Sequence, residues 1–160
     1  MTFNEEDQIE YSADTINHES AGGFVFFESP KDHQLFVALL RKAEGGYVIP
    51  KGHIHKGEAP NKAAIREVKE ELNLNSDPEI ISKIGTASYT FKLEDSDAIH
   101  NKNVQLFVFQ MLNKADIYPQ KNEGYEFAEW VPFEQALDQM VFDKENLLKA
   151  REHFKVRKDN

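Results

Sequence analysis

Three glutamates, Glu67, Glu70 and Glu71, fall within residues 60–72, where Ala64, Val68 and Leu72 recur every four positions. That is the period of one helix face, so the spacing predicts a helix over 60–72 with three carboxylates projecting from neighbouring positions. Like charges at this spacing disfavour a helix by roughly a few tenths of a kcal/mol per pair. Two readings account for their presence. In one, the acids form a solvated face on which Arg66, four residues before Glu70, offsets part of the repulsion. In the other they bind a divalent cation: clustered hard oxygen ligands without soft ones suit Mg²⁺ or Mn²⁺ rather than zinc or copper. The preceding loop, 50–58, favours the second reading. Gly52 and Gly57 open its backbone to a ligand, and it runs into a helix start whose unpaired N–H groups attract an anion. A metal-bound phosphate suits all three features. His53 and His55 form a His-X-His pair, but no third soft ligand accompanies them, which argues against zinc.

The elements that must position these residues follow from patterning. Pro60 fits the first helical turn, Ala59 is a weak N-cap, and Asn73 stands where a left-handed residue ends a helix. Upstream, apolar runs at 24–27, 35–40 and 47–49, bracketed by Ser29-Pro30 and Gly45-Gly46, read as buried strands. Residues 15–18 read as the start of an edge strand. Downstream, strands are expected over 80–93, 104–112 and 127–131, with polar connections at 94–102 and 113–125. Two helical stretches, 134–140 and about 144–154, close the chain, the second with Leu147, Leu148 and Ala150 inward. Strands, a helix, more strands and then helices indicate an α/β fold, a mixed sheet with helices on both faces.

Composition bounds the function. The 160 residues carry 19 Lys and Arg against 28 Asp and Glu, a net charge of −9, which argues against broad contact with nucleic acid or an anionic membrane. Six of the acids lie in the first twenty residues, which contain no Lys or Arg. Residues 1–14 are therefore read as a polar acidic arm and 15–160 as a single domain. The absence of cysteine excludes disulfides, thiolate zinc sites and cysteine nucleophiles. No apolar run approaches the ~20 residues of a membrane span, and the N-terminus is unlike a targeting peptide. A cytoplasmic protein is expected.

The segment PKGHIHKGEAPNKAAIREVKEELNL, residues 50–74, resembles the signature box of the Nudix hydrolase family. The family pattern falls on Gly52, Glu58, Arg66, Glu67, Val68, Glu70, Glu71 and Leu74, with Asn73 replacing the second glycine. Six of the seven fixed glycine or polar positions match, and Asn tolerates the left-handed conformation that a helix-ending glycine serves. Ser20-Ala21-Gly22 and Glu129-Trp130-Val131-Pro132 also resemble segments of many members.

The resemblance implies a Nudix-type α/β/α sandwich with a mixed β-sheet and a catalytic loop-helix-loop. It implies a Mg²⁺ cofactor, with Mn²⁺ a possible substitute, and attack of water on phosphorus. Glu67, Glu70 and Glu71 would be the principal metal ligands, with the Gly52 carbonyl a further one and Glu58 and Arg66 in support. Glu67 is one candidate for the general base; a loop acid, Glu123 or Glu126, is the other. Lys51, Lys56 and His53 are candidate phosphate contacts. The PKGH loop resembles that of diadenosine polyphosphate hydrolases. Tyr89, Phe91 and Tyr125 are candidate stacking faces for adenine, although 89 and 91 share a strand face and equally suit the core. Lys102 is either a basic residue near the polyphosphate or an ordinary hairpin lysine. The expected reaction is asymmetrical hydrolysis of diadenosine tetraphosphate to ATP and AMP. Other Nudix substrates are the alternatives: an NTP, a 5′-triphosphate RNA end or a diphosphoinositol polyphosphate. So is a nucleotide-binding sensor that no longer cleaves, against which the intact glutamate set weighs. The expected partner is a small nucleoside polyphosphate, not a membrane or an extended nucleic acid.

Overall fold

The computed structural model describes residues 15–94, 97–121, 123–140 and 143–157; the acidic arm expected over 1–14 lies outside them. In chain order the elements are β1 (Thr15–Glu28), β2 (Leu35–Arg41), β3 (Tyr47–Val48), β4 (Lys51–His53), α1 (Pro60–Leu72), β5 (Glu79–Lys92), β6 (Ile99–Gln110), β7 (Phe127–Pro132), α2 (Phe133–Gln139) and α3 (Lys144–Val156).

The strands form one seven-stranded mixed sheet in which β3, β2, β1, β6 and β5 are consecutive neighbours, β4 also pairs β1, and β7 pairs β2. Among the described strands only β1 and β6 pair in parallel, over twelve residue pairs from Thr15↔Ile99 to Phe26↔Gln110. Parallel neighbours need a long crossover, and here it includes β2 and α1 on its way to β5 and β6. Both faces of the central strands are covered, so they are apolar without alternation. Phe24, Phe26, Val37, Leu39, Leu106 and Val108 face α2 and α3, where Phe133, Ala136, Leu147, Ala150 and Phe154 bury them. Ala21, Val25, Ala38, Leu40, Phe107 and Phe109 face α1, which meets them with Ala63, Ala64, Val68 and Leu72. The result is the expected α/β/α sandwich with a mixed sheet.

Helix α1 has the expected bounds. Ala59 gives no side-chain cap, and Asn73 is left-handed at φ 54°. Leu74 N–H bonds to Lys69 O and Asn73 N–H to Glu70 O, a Schellman ending. Asn73 does more than a glycine would. Its Nδ2 donates to the carbonyls of Tyr118 and Pro119 at 2.9 and 3.2 Å, tying the 113–121 connection to the end of α1.

Residues 15–18 form the expected edge: they open β1 and, among the described residues, pair with β6 alone, since β4 and β2 join β1 only at 20–22 and 26–28. Three expectations change. Within 94–102, read as a polar connection, residues 99–102 are strand. Polar side chains are tolerated there because they bond across strands, as Thr90 to Asn101 and Ser88 to Asn103 do. Part of the 50–58 loop is strand β4, pairing Ser20–Gly22 with His53–Lys51. Leu148 is 39% exposed rather than inward. The buried stripe of α3 runs through Leu147, Ala150 and Phe154, and Leu148 falls on its flank.

Candidate functional site

Strand β4 and helix α1 lie side by side, and this pairing builds the site. A Cβ on Gly52 would collide with the Glu67 carboxylate, so that carboxylate rests directly on the Gly52 backbone. One residue earlier, Lys51 N–H donates to Glu71 Oε1 at 2.7 Å. The two acids are thereby fixed against successive backbone groups of one short strand.

Arg66 organises a second set of acids. Its Nε and Nη2 donate to the two oxygens of Glu58, each at 2.9 Å, as a bidentate fork. Nη1 reaches Glu67 Oε1 at 2.7 Å and Glu70 Oε2 at 3.4 Å, and Nη2 also donates to His53 O at 2.8 Å. One guanidinium thus ties the loop, through Glu58 and His53, to the helix. The Arg66 bonds, with His55 N–H, hold the Glu58 carboxyl down at about 2, and Glu58 in turn pushes the Arg66 guanidinium upward.

Glu71 shifts the other way. It is only 8% exposed, and burial pushes its carboxyl up to about 7; the Lys51 N–H bond opposes this, while the charges of Glu67 and Glu123 add to it. The Lys51 amine is lowered by its own burial and by Lys102, with Glu71 and Asp143 pulling the other way. Tyr125 is raised by burial and by Glu71 and Glu123.

These groups surround a polar cavity of about 370 Å³ lined by Lys51, Gly52, His53, His55, Glu67, Glu71, Lys102, Glu123 and Tyr125. Strand β6 brings Lys102 to this wall from 31 residues beyond Glu71. Other candidates lie elsewhere. Glu70 is 45% exposed and faces a shallower neighbouring surface with Lys62, Lys69 and Asp77, joined to the site through Arg66. Glu126 does not line the cavity; its N–H bonds to Arg41 O. Tyr89 packs against the core and lines a separate apolar cleft of about 250 Å³ with Tyr47, Val48, Lys51, Met140 and Asp143, its hydroxyl donating to Asp143 at 2.9 Å. Phe91 stacks with His100 and His18. The sequence reading missed Tyr47, Met140, Asp143, His18 and His100. None lies within a recognisable motif, and only the folded chain shows their proximity, through strand pairing for His18 and His100 and through the 47–140 bridge and the start of α3 for Tyr47, Met140 and Asp143.

The divalent cation implied by the resemblance fits this donor set. Glu67, Glu71 and the Gly52 backbone offer oxygen alone, and the mutual repulsion that raises Glu71 is what a cation would relieve. Among the described residues, no three histidine or acid side chains already converge on one ion position. Arg66 instead engages Glu67 and Glu70.

The NUDIX domain family matches residues 17–150. The MutT4 protein of Mycobacterium tuberculosis is 30% identical over 139 residues, covering 84% of this chain and 54% of its own length, so the chain spans about half of that relative. A C. elegans Ap4A hydrolase structure, a binary complex, superposes with a TM-score of 0.64 at 21% identity over 87% of this chain and 98% of that one. The NUDIX domain of Shewanella oneidensis NrtR, complexed with ADP ribose, gives 0.65 at 18% identity over 95% and 97%. At these identities the two structures speak for the fold. Among the described residues no helix is long and apolar enough to cross a membrane.

Proposed function

The chain belongs to the Nudix family, and from that premise we propose that it is a Mg²⁺-dependent pyrophosphohydrolase of small nucleoside polyphosphates, with diadenosine tetraphosphate, split to ATP and AMP, as its substrate. One observation carries the reading: a single cavity sets Lys51, Lys102 and His53 against Glu67, Glu71 and Glu123. Cations alone would make an anion trap and acids alone a cation site. Both together suit a polyphosphate that arrives with its metal.

In this reading Glu67, Glu71 and the Gly52 carbonyl hold the ion, with Glu70 close by on the same helix. The bound metal supplies charge neutralisation and a more acidic water. Lys51 and Lys102 contact the non-bridging phosphate oxygens, and His53 contributes a ring N–H. The attacking water forms a new P–O bond as the bond from that phosphorus to its bridging oxygen breaks. The water's proton passes to a carboxylate, and the nucleotide leaving group departs with the bridging oxygen. Glu67 and Glu123, both on the cavity wall, are suited to take that proton; Glu126, which does not line the cavity, is not among them. Arg66 and Glu58 act by position, keeping Glu67 on the Gly52 backbone. The Tyr47, Tyr89 and Met140 cleft shares Lys51 with the cavity and accommodates one base.

The test is incubation of the protein with Mg²⁺ and, separately, diadenosine tetraphosphate, NTPs, ADP-ribose and 5′-triphosphorylated RNA, with products resolved by chromatography. ATP and AMP in equal amounts are expected from the first. An intact dinucleotide beside cleavage of another compound sinks the substrate assignment; no cleavage of any leaves a binding protein.

A further inference from the structure

The cleft beside the phosphate cavity is lined by Tyr47, Val48, Lys51, Tyr89, Met140 and Asp143, and its polar groups differ in what they have left to offer. The Tyr47 hydroxyl donates to Glu129 Oε2 at 2.7 Å and the Tyr89 hydroxyl to Asp143 Oδ1 at 2.9 Å. Both tyrosines therefore present ring faces, with their protons already committed. The Lys51 ammonium only donates, and the Asp143 carboxylate only accepts. Asn146 adds a long bond of 3.4 Å to the same Oδ1, so among the described residues Asp143 Oδ2 has no hydrogen-bond partner.

Asp143 is an odd choice for a purely structural residue. It is the N-cap of α3, where an aspartate ordinarily accepts a helix N–H, yet it makes no such bond. Its backbone is left-handed at φ 66°, where an N-cap is usually extended, and the carboxylate meets Tyr89 in the cleft instead. A neutral amide would satisfy the tyrosine equally well. The second carboxylate oxygen serves nothing within the described residues.

A nucleotide presents three kinds of group in a fixed order: phosphate acceptors, ribose hydroxyl donors and a flat base. The lining can match that order. Lys51 belongs to both the cavity and the cleft, Asp143 lies near enough for its charge to act on the Lys51 amine, and the tyrosine rings complete the cleft. A carboxylate repels phosphate, so the group that suits it is a hydroxyl donor one step beyond the phosphates. The adenine amine, the other donor available, sits at the end of the base remote from them.

We infer that Asp143 Oδ2 accepts a hydrogen bond from the ribose hydroxyls of the nucleoside in the tyrosine cleft, and that Asp143 thereby selects ribonucleotides over nucleotides that lack those hydroxyls. This rests on the proposed function and adds to it a sugar preference that a phosphate cavity by itself does not impose.

The experiment compares diadenosine tetraphosphate with its bis(2′,3′-dideoxy) analogue, each with Mg²⁺, in the wild type, Asp143→Ala and Asp143→Asn. The wild type should favour the ribose compound about ten- to a hundredfold in kcat/KM, the range of one hydrogen bond to a charged group. Asp143→Ala should bring the two values together by slowing the ribose compound alone. Asp143→Asn, whose amide oxygen still accepts, should keep an intermediate ratio. Equal values in the wild type, or a sugar preference that survives Asp143→Ala, overturn the assignment, while cleavage of the dinucleotide leaves the proposed function standing. Diinosine tetraphosphate, which lacks the base amine, separates sugar from base: if Asp143→Ala changes the adenine-to-hypoxanthine ratio and leaves the sugar ratio intact, Asp143 contacts the base and the inference fails. Should the wild type cleave none of these compounds, the proposed function fails by itself. Calorimetric Kd values with Mg²⁺ then decide the sugar contact: a ribose preference lost in Asp143→Ala supports it, and equal affinities in the wild type overturn it.

Discussion

Glu58 and Glu71 begin as the same residue type in one loop-helix segment, and each accepts a single backbone N–H, from His55 at 3.0 Å and from Lys51 at 2.7 Å. Their environments drive them apart, to about 2 and to about 7. Glu58 has the Arg66 fork. Glu71 has burial, the charges of Glu67 and Glu123, and a lysine whose own cationic form is disfavoured. The segment therefore contains one acid that is locked as an anion for architecture and one held under electrostatic tension. The second kind is useful to chemistry, because a cation that arrives there relieves a cost already present in the fold.

The largest test of this contrast is Glu71→Gln. The amide oxygen still accepts the Lys51 N–H, so the fold should persist, but a ligand oxygen's charge is gone. Turnover with Mg²⁺ should fall by more than the ~10–100-fold typical of losing an outer partner of a metal site. The metal-free variant should melt higher than the wild type at pH 8, since a buried charge has been removed. Unchanged turnover, or a lower melting temperature, breaks the assignment. Arg66→Lys acts on the other half of the comparison. A lysine cannot fork to Glu58 while also holding Glu67 and His53 O. Turnover should drop roughly 10–100-fold, and the Glu58 carboxyl, followed by NMR, should climb from about 2 toward 4.5.

Next comes pH. Glu71's raised value means that the folded chain keeps a proton between about pH 4.5 and 7 that the unfolded chain has released. This group's contribution to stability is full below about pH 4.5 and is lost as pH rises through 7. Glu58 has the opposite sign: its contribution is present above about pH 4.5 and lost as pH falls through about 2. If Glu71 holds Mg²⁺ as proposed, the ion must displace its proton, and apparent Mg²⁺ affinity should weaken about tenfold per pH unit below 7. Calorimetry in buffers of different ionisation enthalpy measures the released proton, and none released at pH 6 would contradict the raised value. The smallest effect is expected at Asn73→Gly. Two exposed hydrogen bonds to the 113–121 connection are lost, but glycine is comfortable at φ 54°, so the cost should be about 1 kcal/mol or less by denaturant titration.

Much of the fold was legible because its elements announce themselves locally. The four-residue period of Ala64, Val68 and Leu72, with Pro60 before and Asn73 after, defines α1 to the residue. The runs at 24–27 and 35–40 are continuous apolar segments because the sheet is covered on both sides. What escaped was polar strand. Residues 99–102 lack apolar patterning, and only pairing with 15–18 and with β5 makes them extended. Lys102 was visible as a candidate, but not the strand that carries it to the cavity wall.

Helical periodicity was enough to set Glu67, Glu70 and Glu71 on one side of a helix with Arg66 beside them, and the resemblance to the Nudix box added Glu58. Neither could rank them. Whether a glutamate ends beside a guanidinium or inside a cavity depends on what β4, β6 and the 113–126 connection bring from elsewhere in the chain. Only the tertiary structure turned Glu70 outward, buried Glu71, and set Lys102 against it, because desolvation and charge proximity are properties of the packed chain and not of its neighbours in sequence.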